Sequence, residues 1–175
     1  HLKCQSGVVI TASHNPKEYN GYKAYWNDGA QLIPPHDHNV IKEVNAISSL
    51  NLIKFTPDPS RIKTIGPEVE EAYYAQVLKL IPRQDSIKRQ KDIKIVYSSL
   101  HGAGITMVPE CLKRLGFEKV FIVAEQKTPD GNFPTVHSPN PEERSALDIA
   151  LRQAKAIDAD LVMATDPDTD RVGIG

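Results

Sequence analysis

Hydrophobic positions along this chain change their spacing near residue 93. Before that point short apolar stretches are broken by turn formers. Residues 8–11 are apolar and β-branched, residues 22–26 are rich in aromatics, and Asn27-Asp28-Gly29 is a hairpin-turn signal ahead of a further short strand at 30–33. Pro34-Pro35 ends that strand, and Val40, Ile41, Val44 and Ile47 then recur at helical spacing, which predicts one amphipathic helix. Residues 48–66 hold Pro57, Pro59 and Gly66 with little periodicity and read as a linker or irregular connection. A second helix is expected from Pro67, with Val69, Ala72, Tyr73, Val77 and Leu80 on its apolar face, followed by a charged loop to Asp92.

From Ile93 the alternation is regular. A strand over 93–97, a glycine-containing loop, a helix marked by Val108, Leu112 and Leu115 and closed by Gly116, and a strand over 120–124 form a βαβ unit. A long loop with Pro129, Asp130-Gly131 and Pro139-Asn140-Pro141 leads to a helix from Pro141 that buries Leu147, Ala150, Leu151 and Ala154. A strand over 161–164 follows. Three strands alternating with two helices imply an α/β fold, its sheets mixed or mainly parallel and flanked by helices. No internal repeat or low-complexity segment is visible.

The chemistry is concentrated where that last strand ends. Asp166-Pro167-Asp168-Thr169-Asp170 places three carboxylates at alternate positions, with Arg171 next and the apolar run Leu161-Val162-Met163-Ala164 in front. Carboxylates this close repel one another at neutral pH and are best tolerated together when a divalent cation takes oxygen from each, so a Mg²⁺ site is expected. The carboxyl end of a buried strand is also where open α/β sheets bind ligands. A solvated acidic turn is the bland alternative.

Composition narrows the partners. With 21 Lys plus Arg against 22 Asp plus Glu, a net charge of −1 gives no general attraction to nucleic acid or an anionic membrane, so any phosphate must be held by a local site. Only Cys4 and Cys111 are present, in no metal-type spacing, which fits a reducing compartment, and cytoplasm is the expected location. No apolar stretch approaches the roughly 20 residues of a membrane span. A start at His1 and an end just after an incipient strand at 172–175 predict a piece of a longer protein.

A second cluster, Thr11-Ala12-Ser13-His14-Asn15-Pro16, follows the first strand and sets a hydroxyl beside an imidazole on a tight loop. A nucleophile or an ordinary turn would both satisfy it. Together the two clusters resemble the α-D-phosphohexomutases, the phosphoglucomutase and phosphomannomutase family, whose phosphoserine loop has the form TASHNP and whose metal loop has the form DxDxDR. The resemblance extends to Gly21-Tyr22-Lys23, Asn27-Asp28-Gly29, His101-Gly102, Phe133-Pro134-Thr135 and Pro139-Asn140-Pro141-Glu142, and so covers nearly the whole chain.

That resemblance implies three-layer α/β/α domains: residues 1–50 as the end of the phosphoserine domain, 51–66 as linker, and 67–175 as the metal-binding domain, cut after the metal loop. It implies that Ser13 carries a phosphoryl group, that Asp166, Asp168 and Asp170 hold one Mg²⁺ together with that phosphate on Ser13, and that Lys23 and Arg171 line the reacting site. His14, in the same loop, reads first as a hydrogen-bond partner that orders it. The implied reaction interconverts sugar 1-phosphates and 6-phosphates through a bisphosphorylated sugar, with a hexose bisphosphate as primer. Lys23 would serve as general acid/base only with its pKa lowered by burial and neighbouring cations, and otherwise as an electrostatic clamp. WNDGAQ, FPTV and PNPE, with Pro167 inside the metal loop, resemble the phosphoglucomutase branch that also includes phosphopentomutases, so glucose phosphates rank ahead of mannose phosphates, and motif alone separates neither from pentose and amino-sugar phosphates. The fragment alone is expected to be inactive.

The aspartate loop has three rival readings. A haloacid-dehalogenase-type phosphatase also uses a DxDx loop after a strand, but its hydroxyl residue falls where Asp170 stands here. An EF-hand loop needs Gly at its sixth position, which is Arg171 in this chain. A catalytically silent binding homologue would have no reason to keep both motifs. His101-Gly102-Ala103-Gly104 is read as close strand-to-helix packing before an anion site, His36 and His38 as a helix start, and Tyr22, Tyr25 and Trp26 as packing.

Overall fold

The computed structural model describes residues 1–175, and its contacts divide the chain into two compact units, 1–11 with 21–67 and 12–20 with 68–175. In the first unit β1 (Gly7–Thr11) pairs antiparallel with β2 (Gly21–Tyr25), in a register running from Gly7 opposite Tyr25 to Thr11 opposite Gly21. The turn at Asn27-Asp28-Gly29 forms, with Gly29 at φ +84° and the Ala30 N–H donating to Asp28 Oδ1 at 2.9 Å. The strand expected at 30–33 is reduced to one bridge, Tyr25 to Gln31. Pro34 lies immediately beyond and has no N–H to extend a ladder. The helix behind the prolines is α1 (His36–Asn45), and 48–66 contains only short 3₁₀ turns at Leu50–Leu52 and Pro59–Arg61.

In the second unit α2 (Pro67–Val77) continues into a 3₁₀ turn, Leu78–Leu80. A short helix, α3 (Gln84–Arg89), occupies part of the expected charged loop. It buries no residue, so no apolar period announces it. Asp85 in its first turn and Lys88 and Arg89 in its last suit the helix dipole.

The sheet is formed by β3 (Lys94–Ser98), β4 (Lys119–Ile122), β5 (Leu161–Thr165) and β6 (Val172–Ile174) in the order β4-β3-β5-β6. β3 is parallel to both β4 and β5, and β6 returns antiparallel to β5. α4 (Val108–Leu115) connects β3 to β4, and α5 (Arg144–Ile157) connects β4 to β5 past β3. The two crossovers travel in opposite directions, and right-handed connections then put α4 and α5 on opposite faces. The unit is therefore a three-layer α/β/α sandwich.

Gly116 closes α4 in the left-handed conformation at φ +106°. α5 begins at Arg144 rather than Pro141, because Asn140 holds a turn first: its side chain accepts the Glu142 N–H at 3.1 Å and its carbonyl the Glu143 N–H at 3.0 Å. Ala150 and Ala154 of α5 then pack on Val96, Val123 and Val162, while Ala146 and Leu147 pack on Leu100 and Ala164. Small residues on this helix let it lie close to the sheet.

Beyond β3 the chain makes a tight approach to the loop after β5. The Ala103 N–H donates to the Pro167 carbonyl at 2.9 Å, and a Cβ on Gly102 would stand 2.4 Å from Pro167 Cα. Backbone on backbone leaves nothing to yield. Gly102→Ala is therefore expected to lower stability by about 1–3 kcal/mol, as overpacking does, measured by urea unfolding.

Candidate active site

β3 and β5 are neighbours whose onward connections leave in opposite directions, which makes the crevice at their carboxyl ends the topological switch point of the sheet. The loop after β5 is a hairpin to β6, and residues 166–171 fill it. Its closure is local: the Asp166 N–H donates to the Arg171 carbonyl at 3.4 Å, and the Thr169 N–H to the Asp166 carbonyl at 3.0 Å. Thr169 takes a left-handed φ of +68° to make the turn.

That fold of the loop brings Asp166, Asp168 and Asp170 together, one carboxylate oxygen from each lying within 4.8 Å of the others. Asp166 is buried, Asp168 half-buried and Asp170 exposed, so the cluster runs from the sheet end to the surface. Asp166 is the anchor. Its Oδ1 accepts the Arg171 N–H at 3.1 Å and its Oδ2 the Ser13 hydroxyl at 2.7 Å. Burial pushes the Asp166 carboxyl above the usual range, and the adjacent Asp168 adds to this, while the bonds from Ser13 and Arg171 oppose it. Three hard oxygen donors, one already strained by desolvation, fit a small divalent cation such as Mg²⁺.

Ser13 reaches Asp166 across 153 positions of sequence. Its loop is a turn closed by the Asn15 N–H on the Ala12 carbonyl at 2.9 Å, with Ser13 itself left-handed at φ +52°. That conformation is uncommon for a residue with a Cβ and projects the hydroxyl from the turn. The His14 Nδ1 lies 3.3 Å from Ser13 Oγ, a contact within the loop. Lys17, on the same segment, donates to Asn132 Oδ1 at 2.6 Å.

The structure thus brings together Ser13, His14 and the three aspartates. Arg171 joins them through its backbone only, because its guanidinium donates to Glu142 Oε1 at 3.0 Å. Lys23 lies in the first unit, half-buried on β2 opposite Val9. Two partners were missed from sequence: Glu142, 29 positions from Arg171, and Asn132, 115 positions from Lys17. Nothing in local spacing could have paired them.

Residues 71–175 match the family described as phosphoglucomutase/phosphomannomutase, alpha/beta/alpha domain II, and residues 1–51 match its alpha/beta/alpha domain I. The chain belongs to this phosphohexomutase family. It is 40% identical over 173 residues to a phosphoglucomutase of Staphylococcus haemolyticus, covering 99% of this chain and 32% of that protein. It is 35% identical to a phosphomannomutase of Mycoplasmoides pirum, again over 99% of this chain and 32% of the relative. A crystal structure of a phosphoglucomutase/phosphomannomutase family protein from Burkholderia thailandensis aligns with a TM-score of 0.65 at 26% identity, covering 97% of this chain and 33% of that one. The chain therefore spans about a third of the length of the curated relatives it matches.

The raised Asp166 pKa has a definite sign in stability. The native state holds this proton more tightly than the unfolded chain does. Without metal, stability falls as pH rises from the ordinary aspartate value of 3.8 to the raised one, and the deficit persists above it. Asp166→Asn, whose Oδ1 keeps the Arg171 N–H and whose Nδ2 can donate to the Ser13 hydroxyl oxygen, is expected to melt higher than the unsubstituted protein at pH 7 without metal, by a few degrees. It should also lose most of the stabilisation by added Mg²⁺. Thermal melts with chelator and with Mg²⁺ test both.

Proposed function

We propose that the protein is a sugar-phosphate mutase that interconverts sugar 1-phosphates and 6-phosphates, glucose phosphates before mannose phosphates, through a phosphoserine at Ser13. The observation that carries this reading is the 2.7 Å bond from Ser13 Oγ to Asp166 Oδ2. It sets the only hydroxyl of the TASHNP loop's centre directly against the acidic cluster. As a free alcohol Ser13 donates to that carboxylate. Once esterified it has no proton to donate and brings further negative charge, so the cluster accepts a phosphoserine only with a cation present.

Asp166, Asp168 and Asp170 would hold that Mg²⁺, together with the phosphate on Ser13. The ion, when bound, neutralises the phosphoryl oxygens as the P–O bond to Ser13 breaks. Ser13 gives its phosphoryl group to the free hydroxyl of a hexose monophosphate. The P–O bond to Ser13 breaks, that to the sugar forms, and the sugar hydroxyl proton leaves to a base. Ser13 then takes the other phosphate from the bisphosphorylated sugar, which regenerates the enzyme and leaves the isomer. A hexose bisphosphate primes the cycle.

Arg171 is well placed to change partner. Its pairing with Glu142 is between partly exposed groups, worth at most about 1 kcal/mol, whereas a guanidinium on a phosphoryl group makes a stronger, bidentate contact. Lys23 is assigned to the reacting site as clamp or general acid/base, and His14 to ordering the serine loop. In domain terms, 1–50 is assigned to the phosphoserine domain, 51–66 to a linker and 67–175 to the metal domain, in a cytoplasmic protein.

The test uses the complete parent protein, since this chain alone is expected to be inactive, and follows isomer and inorganic phosphate in parallel, with Mg²⁺, a trace of hexose bisphosphate, and glucose 1-phosphate or mannose 1-phosphate. Isomer without phosphate release is expected. Ser13→Ala should abolish turnover while leaving Mg²⁺ binding measurable by calorimetry. Phosphate release without isomer would overturn the mutase and move the nucleophile to the aspartate loop.

A further inference from the structure

His101 stands at the junction between the two loops that form the site. It is 4% exposed and left-handed at φ +62°, and it follows Leu100 at φ +45°. Two consecutive left-handed residues with side chains are costly backbone and persist only where surrounding contacts over-determine them. Here those contacts form a directed relay. The His101 ring bonds the Thr128 carbonyl through Nδ1 at 3.0 Å and Thr135 Oγ1 through Nε2 at 2.9 Å. A carbonyl only accepts, so Nδ1 carries the proton and Nε2 accepts the Thr135 hydroxyl. Thr135 Oγ1 in turn accepts from Gln126 Nε2 at 3.0 Å, and Gln126 Oε1 accepts the Ser98 hydroxyl at 2.7 Å.

The backbone repeats the connection. The His101 N–H donates to the Gln126 carbonyl at 3.0 Å, and its carbonyl accepts the Asp130 N–H at 3.1 Å. The segment from Gln126 to Thr135 is thus fastened to His101 at both ends and in the middle. That segment presents Asn132, which holds Lys17 of the serine loop. On its other side His101 is followed by Gly102 and Ala103, which grip Pro167 of the aspartate loop.

We propose that His101, through Thr135 and the loop carrying Asn132, is a positioning residue that sets Ser13 Oγ against Asp166. It touches no reacting atom. The relay is buried at His101, Gln126 and Ser98 and half-buried at Thr135, and every member is satisfied, the condition under which a polar network rigidifies its surroundings. The link from this segment to the chain just after the serine loop, Lys17 to Asn132, is exposed, so its contribution to the alignment depends on the loop behind it being stiff. Displacements of about 1 Å in such an alignment can cost on the order of 100-fold in rate. This inference rests on Ser13 being the phosphoryl carrier.

Thr135→Val removes the hydroxyl while keeping the shape, and Thr135→Ser keeps the hydroxyl. Asn132→Ala cuts the exposed link without touching the relay itself. In the mutase assay on the complete parent protein, in which all these variants are made, kcat is expected to fall about tenfold or more in Thr135→Val and Asn132→Ala, with KM for the sugar phosphate and the Mg²⁺ affinity within about twofold. Thr135→Ser should restore kcat. The double variant should lose no more than the worse single one, because both cut the same path. Hydrogen exchange at the amides of 12–20 should quicken in Thr135→Val and Asn132→Ala, a readout that does not require turnover. Unchanged exchange there, or unchanged kcat in Asn132→Ala in an active enzyme, would overturn the positioning role. Quickened exchange in a protein without mutase activity would uphold the mechanical link and reject the assigned reaction instead.

Discussion

Like-charge repulsion at the end of a buried strand is the constraint around which the second unit is arranged. Asp166, Asp168 and Asp170 cannot all be ionised within 4.8 Å of one another without compensation, and Asp166 is buried. The local answer is directional: a hydroxyl on one oxygen of Asp166 and a backbone N–H on the other. Both are neutral donors, so they steady the carboxylate without cancelling its charge. The cluster keeps its negative charge for that reason. An Arg on the same oxygens would have relieved the repulsion and occupied the site, and the structure sends the Arg171 guanidinium to Glu142 instead.

Much of the remaining architecture serves to bring distant backbone to this loop. The order β4-β3-β5 puts the connection after β3 beside the one after β5, and glycine at 102 and 104 lets the two approach. A Cβ on Gly104 would lie 2.7 Å from Thr165 Oγ1 and 3.0 Å from Thr169 Oγ1, beneath the turn that orients the aspartates. On the far edge, Gly173 of β6 lies against the Pro141 carbonyl, which brings the Asn140–Glu143 turn, and with it Glu142, next to the hairpin. Absent side chains thus define the site as firmly as the charged ones.

What could be read from sequence and what could not divide along physical lines. Strands β3 and β5, helices α1 and α4, and the parallel core follow from apolar period and turn chemistry, which are local. The motif resemblance reached Ser13 and the three aspartates because each set is contiguous. The strand expected at 30–33 failed because a pattern of apolar residues does not report whether a neighbour's backbone is available, and Pro34 limits it. α3 was invisible because it hides no face. The relay through His101, Thr135, Gln126 and Ser98 joins residues up to 37 positions apart, and only the folded chain reveals that the four are one network.

The hairpin between β5 and β6 gives the aspartate loop a property of its own. All three aspartates come from five consecutive residues, and the strands that close the loop adjoin it directly. Their convergence is a short-range event in the sense of contact order, with little loop-closure entropy to overcome. Ser13, 153 residues away, has the opposite character, since its contact with Asp166 closes almost the whole chain. The candidate site therefore joins one element of very low contact order to one contact of very high contact order.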